Sequence, residues 1–412
     1  MNNKMKCVAA ALLVATTACS SNDTLVDTGN NNLNNRDNER KYVELTTDEQ
    51  TLVSNSNDFA FNLFRAAADG KSQILSPISI TYALGMLNNG AAGTTQQQIN
   101  QVLGFTDAQA VNDFCRKMLT EAPTLDKLTK VLIANTIYMN KDYQLLPDFK
   151  QKAKDYYEAE PETRDFADGQ TMDVINRWAS DHTEQMIQRV LNEQSFDKEA
   201  VSYLLNAIYF KGDWAQKFNK NNTRDEQFEG AGKVPMMHQE HEFNYAECDD
   251  YQALRMPYGN GAYQMTILLP RQGKSVSDVL AGLNGKSWQN LRYMGEALVD
   301  VKLPRFESQT DITLNDIMCR LGMPTAFDPD FAEFPNFCDT STYIGMMKQV
   351  ARIKLNEEGT EAAAVTVIGM YETTAVDNEP RRVEFHANRP FLYVISEQST
   401  GAVFFIGTYT GK

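Results

Sequence analysis

Few residues in this chain have the type and spacing for chemistry. There are only four histidines, His182, His238, His241 and His386. His238 and His241 stand three apart beside Glu240 and Glu242, a spacing open to a surface metal site but explained more simply by a solvated turn. Ser195-Phe196-Asp197-Lys198 has the S-x-x-K form of a lysine-activated nucleophile, a pattern short enough to arise by chance. Gly273-Lys274-Ser275 looks like the end of a phosphate loop, but Leu268 occupies the place of the required upstream glycine. No G-x-S-x-G elbow and no H-E-x-x-H occurs. No two cysteines form C-x-x-C, so neither a zinc ribbon nor a redox dithiol is signalled. The spacing leaves open whether Cys115, Cys248, Cys319 and Cys338 pair. No catalytic constellation, metal set or cofactor motif assembles, and the chain reads as a non-enzyme without a cofactor. A hydrolase or glycan-handling role would have only the export signal described next in its favour.

The elements that would carry any site begin late in the chain. Lys4 and Lys6 precede an apolar run from Val8 to Ala15, too short to cross a bilayer, and Thr16-Thr17-Ala18 are small. Cys19 follows directly, which is similar to a bacterial lipoprotein cleavage box with Thr16 where leucine is commonest. Residues 1–18 are therefore expected to be a signal peptide. Cys19 is expected to be lipidated, anchoring the exported chain to a bacterial membrane, the outer one by the absence of Asp at Ser20. Residues 19–45, with Asn30-Asn31-Asn32 and Asn34-Asn35 near their centre, are expected to be a flexible tether. Residues 46–412 read as one continuous domain, expected to be monomeric. The net charge of −15 and pI near 4.8 argue against a nucleic-acid partner.

Within the domain, Thr47-Asp48-Glu49-Gln50 has capping-box form ahead of a helical stripe. Ser76-Pro77 is expected to cap a second helix closed by Gly90, and Thr95 to open a third that ends at Gly104. Apolar strand-like runs follow at Val131–Met139, Tyr203–Phe210, Tyr263–Leu269, Phe391–Ser396 and Val403–Tyr409. Helices crowd the first half and long strands the rest, a mixed α+β pattern with largely antiparallel sheets.

Six blocks, in order, carry a resemblance: Ser76-Pro77-Ile78-Ser79-Ile80, Ala134-Asn135-Thr136-Ile137-Tyr138, Asn206-Ala207-Ile208-Tyr209-Phe210-Lys211-Gly212-Asp213-Trp214, Leu303-Pro304-Arg305-Phe306, Arg389-Pro390-Phe391-Leu392, and Asn356-Glu357-Glu358-Gly359-Thr360-Glu361-Ala362-Ala363-Ala364-Val365-Thr366. The chain resembles the serpins, and the last block resembles the hinge of an inhibitory serpin's reactive-centre loop. The resemblance implies three β-sheets with eight or nine helices and an exposed loop between Glu357 and the strand near Phe385. It implies a shutter at Ser76, Pro77, Ser79, Asn206 and Gln349, the last where the family usually carries histidine, and it puts Trp214 near the top of the main sheet. The function implied is suicide inhibition of a serine, or cysteine, protease: the protease cuts the loop, and the freed segment enters the main sheet while the enzyme is held as an acyl-enzyme. A serpin-fold binding protein whose loop does not insert is the alternative.

The residues suit insertion. Ala362-Ala363-Ala364 are small enough to slide between strands, and Gly359 to Glu379 contains no proline to break a ladder. Strand alternation puts Thr360, Ala362, Ala364, Thr366 and Ile368 on one, burial-ready face and Glu361, Ala363, Val365 and Val367 on the other. The family's usual count from Glu357 places the reactive bond at Thr373-Thr374, with Met370, Tyr371, Glu372 and Ala375 as neighbouring possibilities. No Lys or Arg lies between Gly359 and Pro380. The expected partners are therefore elastase-like, subtilisin-like, chymotrypsin-like or papain-like proteases rather than trypsin-like ones.

Overall fold

The structure is a computed structural model, and it describes residues 38–360 and 381–411. Among them lie nine α-helices: α1 (Thr47–Ala67), α2 (Pro77–Asn88), α3 (Gly93–Leu103), α4 (Ala108–Glu121), α5 (Pro147–Tyr157), α6 (Thr171–His182), α7 (Val276–Gly282), α8 (Gly285–Asn290) and α9 (Asn315–Leu321). The strands are β1 (Gln73–Leu75), β2 (Thr129–Asn140), β3 (Glu160–Arg164), β4 (Ser202–Asp213), β5 (Arg224–Phe228), β6 (Gly232–Glu247), β7 (Tyr251–Tyr258), β8 (Tyr263–Pro270), β9 (Gly295–Pro304), β10 (Phe306–Thr313), β11 (Lys348–Leu355), β12 (Gly359–Thr360), β13 (Arg382–His386), β14 (Phe391–Glu397) and β15 (Val403–Tyr409).

Helix ends follow side-chain chemistry, with shifts from the sequence expectation. The capping box of α1 is Thr46 with Glu49, not Thr47 with Gln50: the Glu49 amide donates to Thr46 Oγ1 and the Thr46 amide to Glu49 Oε2. Glu49 is the better third residue because its carboxylate also pairs with Lys117 at 3.0 Å. Pro77 does open α2, but Ser76 makes no side-chain cap, because its hydroxyl donates to the Phe404 carbonyl instead. α3 starts at Gly93, two residues before Thr95, and stops at Gly104, whose φ of +77° suits glycine. α2 is buried almost all round and packs on β4 and β15 together.

One sheet has the order β10-β11-β12-β4-β2-β3, and a larger one runs β1-β15-β14-β8-β7-β6-β9-β13 with β5 on β6. The three sheets implied by the resemblance thus appear as two ladders. β6 pairs with β9 from Met236 to Tyr245 but with β7 only over Asn244–Glu247, and this narrow join makes two sheets one. Pairing is antiparallel except for β2 with β3 and β9 with β13.

Residues 38–45, expected as the end of the tether, make contacts with the domain. Asn38 donates to Asp126, Val43 is buried with its amide on Ser399 Oγ, and the Asn38 carbonyl accepts from Asn260. Residues 38–45 are held there by these bonds and by the apolar area that Val43 buries. All four described cysteines are free thiols. No described helix is long and apolar enough to cross a membrane.

Candidate functional site: a slot in the six-stranded sheet

β4 and β11 are neighbours held apart. β11 is paired along its whole length with β10, and β4 over eleven residues with β2. Between them stands only β12: Thr360 pairs with Leu355 on one side, while Gly359 and Thr360 pair with Asp213 and Gly212 on the other. Below Thr360 no described residue joins the facing edges. A small cavity of about 20 Å³ lies there, lined among others by Ile208, Phe210, Arg352, Ile353 and Thr360. Each edge presents backbone donors and acceptors to the gap, which is the condition for receiving another strand.

The top of the slot is built around the hinge. Asn356 closes the turn by accepting from Glu358 and Gly359 through its side chain and exchanging backbone bonds with Gly359. The Trp214 amide donates to the Glu358 carbonyl at 2.8 Å, the Phe218 amide to the Glu357 carbonyl at 3.0 Å, and Trp214 Nε1 to the Asn356 carbonyl at 3.0 Å. Glu357 is buried, accepts from Thr223 Oγ1 at 2.8 Å and faces Arg305 at 3.5 Å. Glu358 is held by Lys220 and Lys217, which depress its pKa. Lys217 also pairs with Asp213 at 2.8 Å and so ties the hinge to the end of β4.

Gly359 cannot be replaced without movement. Its φ is +154°, and a Cβ there would stand 2.1 Å from the Gly212 carbonyl oxygen. Thr360 is buried, and its hydroxyl hydrogen-bonds Tyr258 at 2.6 Å. Tyr258 is fully buried and stacked on Trp214 at 4.5 Å, and burial raises its pKa well above the ordinary range, so it stays a neutral hydrogen-bonding group.

Lower down, α2 ties each edge separately. Gln349 on β11 donates to the Ser76 carbonyl at 2.9 Å and accepts from the Ser76 amide at 3.0 Å. On β4, Asn206 accepts from Ser79 Oγ and donates to Asn135 at 2.8 Å. Asn135 donates onward to the Tyr157 carbonyl. Glutamine at 349 thus makes both bonds available to an amide side chain facing a backbone N–H and C=O.

Of the site residues expected from sequence, Glu357 to Thr360, Trp214, Ser76, Pro77, Ser79, Asn206 and Gln349 come together around this slot. Glu361, Ala362, Ala363, Ala364, Val365 and Thr366, and the bond candidates Met370, Tyr371, Glu372, Thr373, Thr374 and Ala375, lie outside the described residues, as does Cys19. Tyr258, Lys217, Lys220, Asn356 and Asn135 were not singled out. Arg305, Asn135 and Asn356 lie inside quoted blocks, but nothing local marks Tyr258.

The other candidates for chemistry have structural roles. His238 and His241 are in β6, not in a turn, and a three-residue offset sends them to opposite faces. His238 Nε2 lies 2.6 Å from Asp300, which also faces His386, and no metal-holding group is found among the described residues. Ser195 sits in a turn, its hydroxyl engaged with the Asn192 backbone. Ser275 caps α7 with Asp278.

The sequence profile of the family described as Serpin (serine protease inhibitor) matches residues 54–411. Human serpin B4 is 31% identical over 389 residues, covering 87% of this chain and 99% of that protein. The crystal structure of tengpin, a thermophilic serpin, in its native state superposes with a TM-score of 0.80 at 29% identity, covering 90% and 96% of the two chains. Thyroxine-binding globulin in complex with thyroxine superposes at 0.76 with 26% identity, covering 87% and 98%. A match of this extent, over the same strands and helices that frame the slot, makes the chain a member of the serpin family.

Proposed function

We propose that this serpin inhibits proteases by inserting its cleaved loop into the slot between β4 and β11. The observation that carries this reading is Gly359–Thr360, already paired between the two strands, with no described residue pairing the edges below. Continuing the same register places each next residue one step further down. Thr366 then falls opposite both Asn206 on β4 and Gln349 on β11, because each pairing advances residue for residue. The burial-ready face expected from alternation is also the face on which Thr360 is buried. Thirteen residues from Thr360 to Thr373 would span roughly 43 Å as a strand, enough to carry a covalently attached enzyme across the domain.

Cleavage in the loop by an elastase-like protease should raise the melting temperature by tens of degrees, since a new central strand satisfies both open edges. The same reaction should yield a complex that survives SDS. An unchanged melting curve after clean cleavage favours a binding protein with an idle loop. We further propose export and lipidation at Cys19. Cys19→Ala should then move the protein from the membrane fraction to the soluble one, and retention in the membrane would overturn this anchor.

A further inference from the structure

Arg255 lies within β7 and is buried, and its Nη2 donates to the Leu291 carbonyl. Its Nε has no hydrogen-bond partner among the described residues. Directly across the ladder on β8, Thr266 is fully buried, and its hydroxyl also has no hydrogen-bond partner among the described residues. The 38–45 segment brings Arg40 over the turn after β7: Asn260 donates to the Asn38 carbonyl, and a Cβ at Gly261 would be 3.5 Å from Arg40 Nη1. Arg40 lies over the Tyr42 ring at 5.1 Å, and its Nε and Nη2 are buried with no hydrogen-bond partner among the described residues. Arg292 approaches from the 3-10 turn Leu291–Tyr293, with Nη2 donating to the Ser399 carbonyl at 2.7 Å.

None of the three arginines forms an ion pair among the described residues. Glu397, two residues before the Ser399 that Arg292 holds, has both carboxylate oxygens occupied by Ser399 and Thr400. Burial, and then Arg292 and Arg40, push the Arg255 pKa down to about 10. Unpartnered buried donors on neighbouring cations are costly, and an acceptor-rich anion answers both the charge and the missing bonds.

We propose that Arg40, Arg255 and Arg292, with the Thr266 hydroxyl, form a binding site for a tetrahedral oxyanion, a phosphate or sulfate group. Guanidinium forks match such oxygens, and the hydroxyl of Thr266 can donate to one of them. A cavity of about 440 Å³, lined by Val43, Leu45, Gln50, Arg292, Tyr293 and Gln398 among others, shares Arg292 with the site and has room for a stem carrying the group. The site uses no residue of the slot and stands independently of protease inhibition. A bound anion would fasten the 38–45 segment to β7 through Arg40.

The test is the apparent melting temperature of the full chain with sodium phosphate, sodium sulfate or glycerol 3-phosphate at about 10 mM, against sodium chloride of equal ionic strength. Phosphate or sulfate should raise it by about 2 °C or more beyond chloride. A matching rise with glycerol 3-phosphate assigns the site to a phosphate carried on a larger molecule, and a rise with the inorganic ions alone assigns it to the free ion. Arg40→Gln and Arg255→Met should each remove at least half of the rise. Arg40→Gln suffices if loss of the buried arginine prevents folding. No rise beyond chloride, or a full rise in the Arg40→Gln variant, would overturn the proposal.

Discussion

Thr360 meets the sheet with its hydroxyl on Tyr258 and its side chain out of water, so what replaces it decides whether the hinge can stay in place. An arginine there would bury an unpaired charge, a cost of several kcal/mol that insertion would have to overcome. Thr360→Arg should therefore turn an inhibitor into a substrate. The loop is still cut, but the trapped fraction of protease falls by about tenfold or more, as hydrolysis outruns insertion. Thr360→Ser, which keeps the hydroxyl, should trap at close to the native ratio. Stoichiometry of inhibition against one protease measures both, and native trapping by the arginine variant would refute the burial of this side chain during insertion. Thr366→Val tests the register at the same scale. If Thr366 arrives between Asn206 and Gln349, removing its hydroxyl should lower the melting temperature of the cleaved form by a few degrees, from about 1 kcal/mol of lost hydrogen bonding, and leave the uncleaved form unchanged. The facing of Thr360 was legible because strand parity needs only the neighbours in sequence. Its partner Tyr258 was not, because a contact across 102 residues leaves no local trace.

Strands were legible where a run of residues is apolar enough to be buried. β2, β4, β8, β14 and β15 are apolar enough to read as strands, whereas the middle of β6, His238 to Glu242, is polar on both faces and reads as a turn. The strand that leaves the loop, β13, pairs among the described strands with β9 alone, over Arg382–His386, and ion pairs add to that ladder. Arg381 pairs with Glu247, and Arg382 with Glu240. Arg381, then Tyr245 and Arg271, hold the Glu247 carboxyl down at about 2, against an ordinary value of 4.5. The folded value lies below the unfolded one, so the stabilisation is fully present above about 4.5 and is lost as pH falls toward 2. Glu247 is about one-third exposed, so solvent screening keeps the contribution near 1 kcal/mol. Glu247→Gln should lower the melting temperature at pH 7 by about 2 °C and flatten its fall between pH 4.5 and 2. Thermal melts of both proteins across that range are the check, and parallel curves would show that the pair does not hold β13.

At the scale of the whole molecule, inhibition depends on how much chain lies between the top of the slot and the cut. A bond after Thr373 leaves thirteen residues beyond Thr360, which the slot can take up as strand. Trypsin-like enzymes find no Lys or Arg from Gly359 to Pro380, so their first targets are Arg381 and Arg382. Arg381 immediately precedes β13 and Arg382 opens it: the Leu298 amide donates to the Arg381 carbonyl, Arg382 pairs with Leu298, and both side chains are in ion pairs. A protease must draw its substrate out as an extended strand of its own, so cutting there first requires peeling β13 from β9. If the cut is made, the eight residues beyond Thr373 add about 26 Å of slack, and the enzyme is no longer pulled tight against the body. Incubation with elastase-like, subtilisin-like, chymotrypsin-like and papain-like enzymes should therefore give SDS-stable complexes, or lasting loss of activity, with at least one of them and none with trypsin. Mass spectrometry of the small carboxy-terminal fragment should place the cut between Met370 and Ala375. A trypsin complex cleaved after Arg381 or Arg382 would show that the slot accepts a longer chain than the register of β12 allows.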